Sequence, residues 1–293
     1  MPAHSCAGKR APMTWGAPVS APYTVESALP LAVPALSNAL AEGFEGYAVS
    51  IPDDPVAFAQ RLRGEQIDLA SSLVAVVATR PVGLALIARR SDTARIAALG
   101  VSVSWRRHGV GAALMRASLA AAAARGETRV MLEVIEGNDR ALQLYRSLGF
   151  EVQRRLVGYE RPAGSGVAAP ICEERVNLVA RDVVAHMKEE LPWPLAVPSM
   201  LVSGPQARAV RLGPASALIS VSAQSIVLRA LVVPWEQRGQ GHATRLLRAL
   251  AAEYPDHRWV VPPLIPESWG RRFFTRNGFH EQPLSQLEMM VSL

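Results

Sequence analysis

The densest group of chemically capable residues in the chain is Arg106-Arg-His-Gly-Val-Gly111. It follows an apolar, strand-like run from Arg95 to Val103 that stops at Ser104-Trp105. It precedes an alanine- and leucine-rich helical pattern from about Val110 to Ala124. A strand feeding a basic, glycine-bearing turn that opens a helix makes an anion site. The first N–H groups of a helix have no partner inside it, and the helix dipole favours negative charge there. Gly109 and Gly111 let the backbone approach a phosphate where a Cβ would obstruct it. Simple helix–strand packing uses the same glycine spacing, so the loop acquires a function only with further residues beside it.

The elements around the loop can be read from periodicity. Tyr23 to Ser27 alternates like a first strand, and helical stretches follow over about 34–43 and 54–64, the second with Asp53-Asp54 at its start. Leu73 to Ala78, Val82 to Arg89 and Arg95 to Val103 read as strands, the last two joined by Arg90-Ser-Asp-Thr93. After the helix come a strand from Arg129 to Val134, a helix from Asp139 to Leu148 capped by Asn138 and ended by Gly149, and a strand from Phe150 to Tyr159. Arg161 to Pro170 is rich in Gly, Ala and Pro and reads as a linker. Beyond it, a helix is expected around Arg181 to Leu191 and strands near Ala209, Ala217 and Ile226.

Composition narrows the function classes. At 293 residues, with hydrophobic residues at 49%, the chain can bury one sizeable core or two smaller ones. No apolar run approaches the roughly 18 residues needed to span a bilayer, so no membrane association is expected. Residues 1–22 lack a continuous apolar stretch and read as a disordered lead-in rather than a signal peptide. Cys6 and Cys172 form neither a disulfide framework nor a metal-ligand spacing, which makes a cytoplasmic protein without metal the simplest reading. The net charge of +6 comes from scattered arginines, with only Lys9 and Lys188 as lysines. Nucleic-acid binding is not expected from so dispersed a charge, and a polyanionic small ligand fits it equally well.

An internal repeat organises the whole chain. Leu231-Val-Val-Pro-Trp-Glu-Gln-Arg-Gly-Gln-Gly241 lines up without a gap on Val101 to Gly111, putting Trp235 on Trp105, Gly239 on Gly109 and Gly241 on Gly111. Farther on, Phe273 to Phe279 falls on Leu144 to Phe150, one residue out of phase. The expected organisation is a tail at 1–22, a first domain at 23–162, a linker at 163–172 and a related second domain at 173–293.

The loop does gain a second group of residues at a fixed distance: Leu132-Glu-Val134, Asn138, Ala141, Leu144-Tyr145 and Gly149-Phe150. Together with the loop these resemble the GNAT superfamily of acyl-CoA-dependent N-acetyltransferases, and most of all its ribosomal-protein alanine acetyltransferase branch. The resemblance covers Val82 to Phe150 well and Leu231 to Phe279 weakly. It implies an α/β fold with a mixed, strongly twisted sheet that splays open after its fourth strand. Coenzyme A would lie in the cleft, its pyrophosphate on the amides of Arg107, His108, Gly109, Val110, Gly111 and Ala112, with Arg106 beside them. The pantetheine arm would bond to the backbone of Leu99 and Val101, and Asn138 would reach the pantetheine as well as cap its helix.

The resemblance also implies roles for two side chains. Glu133 would be a general base that takes a proton from the attacking amine, directly or through water; as a bare residue it is equally an ordinary carboxylate on a strand. Tyr145, with an ordinary pKa near 10, would protonate the departing thiolate; otherwise it is an aromatic core residue. His108 is expected to offer its amide rather than act as a base. The second domain departs at each position: Arg106 maps to Glu236 in the gap-free match and, in the segment one residue out of phase, Glu133 maps to Pro262, Asn138 to Glu267 and Tyr145 to Phe274. It reads as a degenerate copy that shapes or covers the first domain's acceptor site.

The function implied is transfer of an acetyl group from acetyl-CoA to a primary amine of a small molecule or peptide, by a monomer or homodimer. A second possibility is an acyl-CoA-binding sensor or scaffold without turnover. A third is a mycothiol-synthase-like enzyme, which also resembles two tandem GNAT domains but is expected to work with its second one.

Overall fold

The computed structural model describes residues 22–293, so the expected lead-in lies outside the described residues except for Pro22. The first half runs β1 (Thr24–Ser27), α1 (Val33–Gly43), α2 (Pro55–Gly64), β2 (Leu73–Val77), β3 (Arg80–Arg90), β4 (Thr93–Val101), α3 (Val110–Ala124), β5 (Arg129–Ile135), α4 (Asp139–Ser147) and β6 (Glu151–Arg161). The second half repeats the same ten-element order: β7 (Cys172–Glu174), α5 (Val176–His186), α6 (Val197–Leu201), β8 (Ala207–Leu212), β9 (Ala215–Val221), β10 (Ser225–Val232), α7 (His242–Glu253), β11 (Arg258–Pro266), α8 (Arg271–Arg276) and β12 (His280–Ser292).

Local chemistry explains where several elements begin. Asp54 caps α2 by accepting the N–H groups of Val56 and Ala57 at 2.9 and 3.1 Å, with Pro55 as the first helical residue. Asn138 caps α4 from the N–H of Ala141 at 3.3 Å. The helix expected at 181–191 lies earlier, as α5. Val176, Val179, Ala180 and Val183 recur at helical spacing and bury one face, whereas the chain after His186 turns to Lys-Glu-Glu and then Pro192. Cys172, placed in the linker from sequence, pairs instead in β7 with Arg211 of β8.

All twelve strands form one sheet in the order β1-β2-β3-β4-β5-β12-β6-β11-β10-β9-β8-β7. Its midpoint shows how the halves combine. The last strand of the chain, β12, runs antiparallel between β5 and β6, while β6 runs antiparallel between β12 and β11. Each half therefore has a strand of the other inserted in its sheet. The cores follow the exchange: Met289 of β12 is packed with Tyr145 and Phe150 of the first half. Val157 and Tyr159 of β6 are packed with Leu246, Trp259 and Phe274 of the second.

In each half the sheet carries helices on both faces. In the first half α3 and α4 cover one face, and α1 and α2 the other. At one crossing α1 comes so close to β4 that a Cβ on Gly43 would lie 2.8 Å from Gly100 Cα. Pro262 and Pro263 sit inside β11, a central strand, where they remove two ladder donors. They fall where the pairing with β6 breaks, between Val261 and Ile265.

Candidate functional site

β4 and β5 run parallel and paired only from Thr93↔Arg129 to Ile96↔Leu132, after which they separate. On its other side β4 stays bonded to β3 through Val101, and the Ser102 N–H donates to Val82 O at 3.0 Å. Since successive residues of a strand alternate their backbone groups between neighbours, Leu99 and Val101 turn theirs to the gap. An opened strand edge beside a helix is therefore built into the first half.

The gap leads to the Arg106–Gly111 loop. A 3₁₀ turn over Val103–Trp105 is followed by Arg107 at φ +67° and Gly109 at φ +80°, the residue that caps α3. The Ala113 N–H closes the first helical bond, onto Gly109 O at 2.9 Å. This leaves the amides of Val110, Gly111 and Ala112 ahead of it, at the positive end of the helix dipole. Arg107 and His108 are exposed at the loop tip, and His108 Nδ1 lies 3.0 Å from Arg106 O.

Arg106 points away from this surface. Its Nε donates to Val101 O at 3.0 Å, and its Nη2 donates to Gly43 O at 3.2 Å and Glu45 O at 2.6 Å. The guanidinium thus straps the loop to the end of α1 and also occupies the Val101 carbonyl that faces the gap. The Val101 N–H, the Leu99 backbone and the loop amides remain available to a ligand.

Tyr145 projects from α4 into the first-half core, its ring 5.9 Å from that of Phe150. Burial pushes its phenol well above the ordinary value, with Tyr47 adding to the shift. Asn138, about two helical turns earlier, is occupied as the cap of α4.

Glu133 lies just past the point where β4 and β5 part, on the face opposite to Leu132 and Val134. It is nearly inaccessible and gripped by Arg95, whose Nε and Nη2 both donate to Glu133 Oε2 at 2.8 Å. Arg95 also meets Glu65 at the end of α2 at 3.0 Å. Burial lifts the Glu133 carboxyl above the ordinary carboxylate range against the pull of Arg95, and the Glu288 charge lifts it further. Burial depresses the Arg95 guanidinium, but Glu133 and Glu65 outweigh that and hold it above its ordinary value. Glu288 stands directly across from Glu133 on β12 and is bonded to Arg154 Nε at 2.5 Å. Sequence reasoning missed Arg95, Glu65, Arg154 and Glu288. Arg95 was discoverable as a lone charge inside an apolar strand; Glu288 comes from the far end of the chain and carries no local signal.

The second half holds a similar constellation, and its register corrects the sequence alignment. α7 is capped by Gly241 at φ +79°, as α3 is by Gly109. Gly239, at φ +79°, occupies the place of Arg107. Arg238 Nε donates to Val233 O at 3.0 Å, the bond that Arg106 makes to Val101. The counterpart of Arg106 is therefore Arg238 rather than Glu236, that of Gly109 is Gly241, and Ala243 stands for Gly111. The gap-free alignment matched glycine to glycine two residues out of step. Downstream the expected register holds: the Phe279 N–H bonds to Phe274 O as the Phe150 N–H bonds to Tyr145 O. Pro262 and Phe274 do stand at the positions of Glu133 and Tyr145.

β10 and β11 separate after Val227↔Val260. A cavity of about 790 Å³ opens there, bounded at one end by the Arg238–Thr244 loop and at the other by Val183, Leu195 and Met200. Its outer edge includes Arg272 and Arg276 of α8.

Comparison with known proteins places these features in context. Residues 35–150 match the model of the acetyltransferase (GNAT) family. The whole chain superposes on a GCN5-related N-acetyltransferase from Sphaerobacter thermophilus with a TM-score of 0.70, at 14% identity, covering 94% of this chain and 97% of that one. A tandem GNAT protein from the clavulanic acid biosynthesis pathway gives a TM-score of 0.65 at 15% identity, covering 92% of this chain and 98% of that one. Both likenesses are of fold. No curated protein matches the chain.

Proposed function

Given that its N-terminal half belongs to the GNAT family of acetyltransferases, we propose that this half moves an acetyl group from acetyl-CoA to a primary amine of a small molecule or peptide. One observation carries the reading: β4 and β5 part after Ile96↔Leu132, next to Glu133, and the freed edge of β4 runs on to the amide-lined start of α3.

The residues fit a coenzyme A thioester in chemical type. The amides of Val110, Gly111 and Ala112 suit the pyrophosphate, with Arg107 at the rim, and the Leu99 backbone and Val101 N–H suit an amide-bearing arm. Attack of the amine nitrogen on the thioester carbonyl forms the new C–N bond and breaks the C–S bond. Two protons must then be managed. Glu133 receives the amine's proton, directly or through water, while Arg95, itself paired with Glu65, holds it in place. Tyr145 gives its proton to the leaving sulfur, and its raised pKa keeps the phenol fully protonated until that moment.

The decisive experiment is CoA release with a panel of amines and peptides. Tyr145→Phe should lower kcat by roughly 10²- to 10⁴-fold with little change in acetyl-CoA affinity. Glu133→Gln should fall by a similar factor. Full activity in both variants would remove these role assignments.

A second reading concerns the C-terminal half, favoured by its cavity and the Arg238 loop. This half takes a CoA thioester without turning it over, because Pro262 and Phe274 supply neither a base nor a proton donor. The mycothiol-synthase-like possibility needs its chemistry in this half, so the same two residues count against it.

A further inference from the structure

We propose that the cleft of the C-terminal half is built for a CoA thioester whose acyl group is a medium-length apolar chain. The inference rests on reading that cleft as a thioester site and names the class of acyl group it accepts.

The cavity does not stop where an acetyl group would end. It continues past the separation of β10 and β11 to the α5–α6 side of the sheet, where Val183, Leu195, Met200, Ala230 and Val232 line it. Wall residues of this kind gain free energy only by covering apolar surface. The same level of the first half is filled by the Arg95–Glu133–Glu65 ion cluster. Here Val227 and Pro262 take the places of Arg95 and Glu133, so no ion pair forms at these two positions. Charged residues do line the cavity but are engaged with neighbours: Arg229, next to Ala230, donates its Nε to Ser220 Oγ at 2.6 Å. Glu189 accepts the Trp269 Nε1–H at 2.7 Å, and Lys188 Nζ lies 5.0 Å from the Trp235 ring centroid.

An acceptor amine is a poor occupant of the inner end, since no proton acceptor or donor stands at the transfer point. A chain attached to the thioester carbonyl needs neither. The opposite end of the ligand is provided for as well. A second cavity of about 480 Å³, lined by His242, Arg245 and Arg248, adjoins the first at His242 and offers a cationic wall beside the start of α7. The cleft is thus basic at one end and apolar at the other, the polarity of an acyl-CoA with a hydrocarbon tail.

The test is calorimetric titration of the full chain with CoA, acetyl-CoA, hexanoyl-CoA and octanoyl-CoA, alongside three variants whose folding is checked by thermal unfolding. Ala243→Glu sets a carboxylate where the second-half phosphates would lie, and acid is tolerated in a first helical turn. Gly111→Glu does the same in the first half. Ala230→Trp fills the inner end without touching the loop. Each buried methylene should strengthen binding by up to about fourfold, so octanoyl-CoA should bind one site at least about tenfold more tightly than acetyl-CoA. This gain should vanish in Ala243→Glu, persist in Gly111→Glu, and be lost in Ala230→Trp while CoA itself still binds. Equal affinity for the acetyl and octanoyl thioesters at the Ala243-dependent site would overturn the acyl class but leave the site. Unchanged CoA stoichiometry in Ala243→Glu would overturn the site itself. Loss of the chain-length gain in Gly111→Glu would move it to the first half. Tyr145-dependent release of CoA, which tests the first-half reading, is measured separately on the parent protein and on Ala243→Glu and Ala230→Trp.

Discussion

Glu133 is held between opposing influences, and its environment predicts a pH profile. A carboxyl lifted by burial needs a higher pH before it can accept a proton. The ascending limb of kcat/KM should therefore lie above the ordinary carboxylate value, and it should disappear in Glu133→Gln. Arg95→Met removes the influence that favours the charged form, so the limb should move to still higher pH. The same variant leaves Glu133 and Glu65 facing one another, at a cost of about 3–5 kcal/mol in unfolding free energy. A limb at the ordinary value in the parent protein would argue that Glu133 is only structural. Arg106 and Arg107 are adjacent but differ in use: the first is consumed by three backbone carbonyls, the second is exposed at the tip of the loop.

At the scale of elements, α3 must be held firmly if its first amides are to form a fixed anion site. Its far end is anchored at Glu127, a buried carboxylate that accepts from Arg125 Nη2 at 2.8 Å and also from Arg89 Nε. Burial tends to raise the Glu127 pKa, but the bonds to Arg125 and Arg89 outweigh it and depress it overall. A carboxyl depressed in the folded state binds its proton more weakly than in the unfolded chain. Its stabilisation is therefore present above the unfolded carboxylate value and is lost as pH falls through the folded one. Glu127→Gln should cost about 1–3 kcal/mol at neutral pH. It should also flatten the acid branch of a plot of unfolding free energy against pH; an unchanged slope would show that this anchor does not titrate on unfolding.

At the scale of the molecule, the exchanged strands decide how the halves depend on each other. β12 pairs with β5 from Gln286↔Ile135 to Ser292↔Arg129 and sends Met289 into the first-half core. Removing it would leave β5 and β6 without their shared neighbour and expose apolar side chains beside Tyr145. The segment 22–162 expressed alone should therefore lack a cooperative thermal transition. Mixing it with the segment 163–293 during refolding should restore both the transition and CoA release. A stable, active 22–162 segment would show that β12 is dispensable.

Short-range features were legible from residue types and spacing. The strand–loop–helix around Arg106–Gly111 follows from apolar periodicity ended by a glycine-bearing turn, and the cap at Asn138 and the positions of Glu133 and Tyr145 follow from local order. The repeat was legible too, because two copies of one unit must keep the residues that shape their turns. Its register was not. Gly-x-Gly in both copies invited a gap-free match, but which residue adopts a left-handed backbone depends on where each helix starts, and that is settled by the bonds of Arg106 and Arg238 to their strands. The partners of Glu133 were equally out of reach. Arg95 meets it only because β4 and β5 pair, and Glu288 only because the last strand enters the other half's sheet, contacts between residues far apart in the chain. The residues on which the chemistry proposed for the first site rests can thus be picked out from the chain alone. Its electrostatics, its dependence on β12 and the open cleft of the second half exist only once the sheet has closed around the exchanged pair.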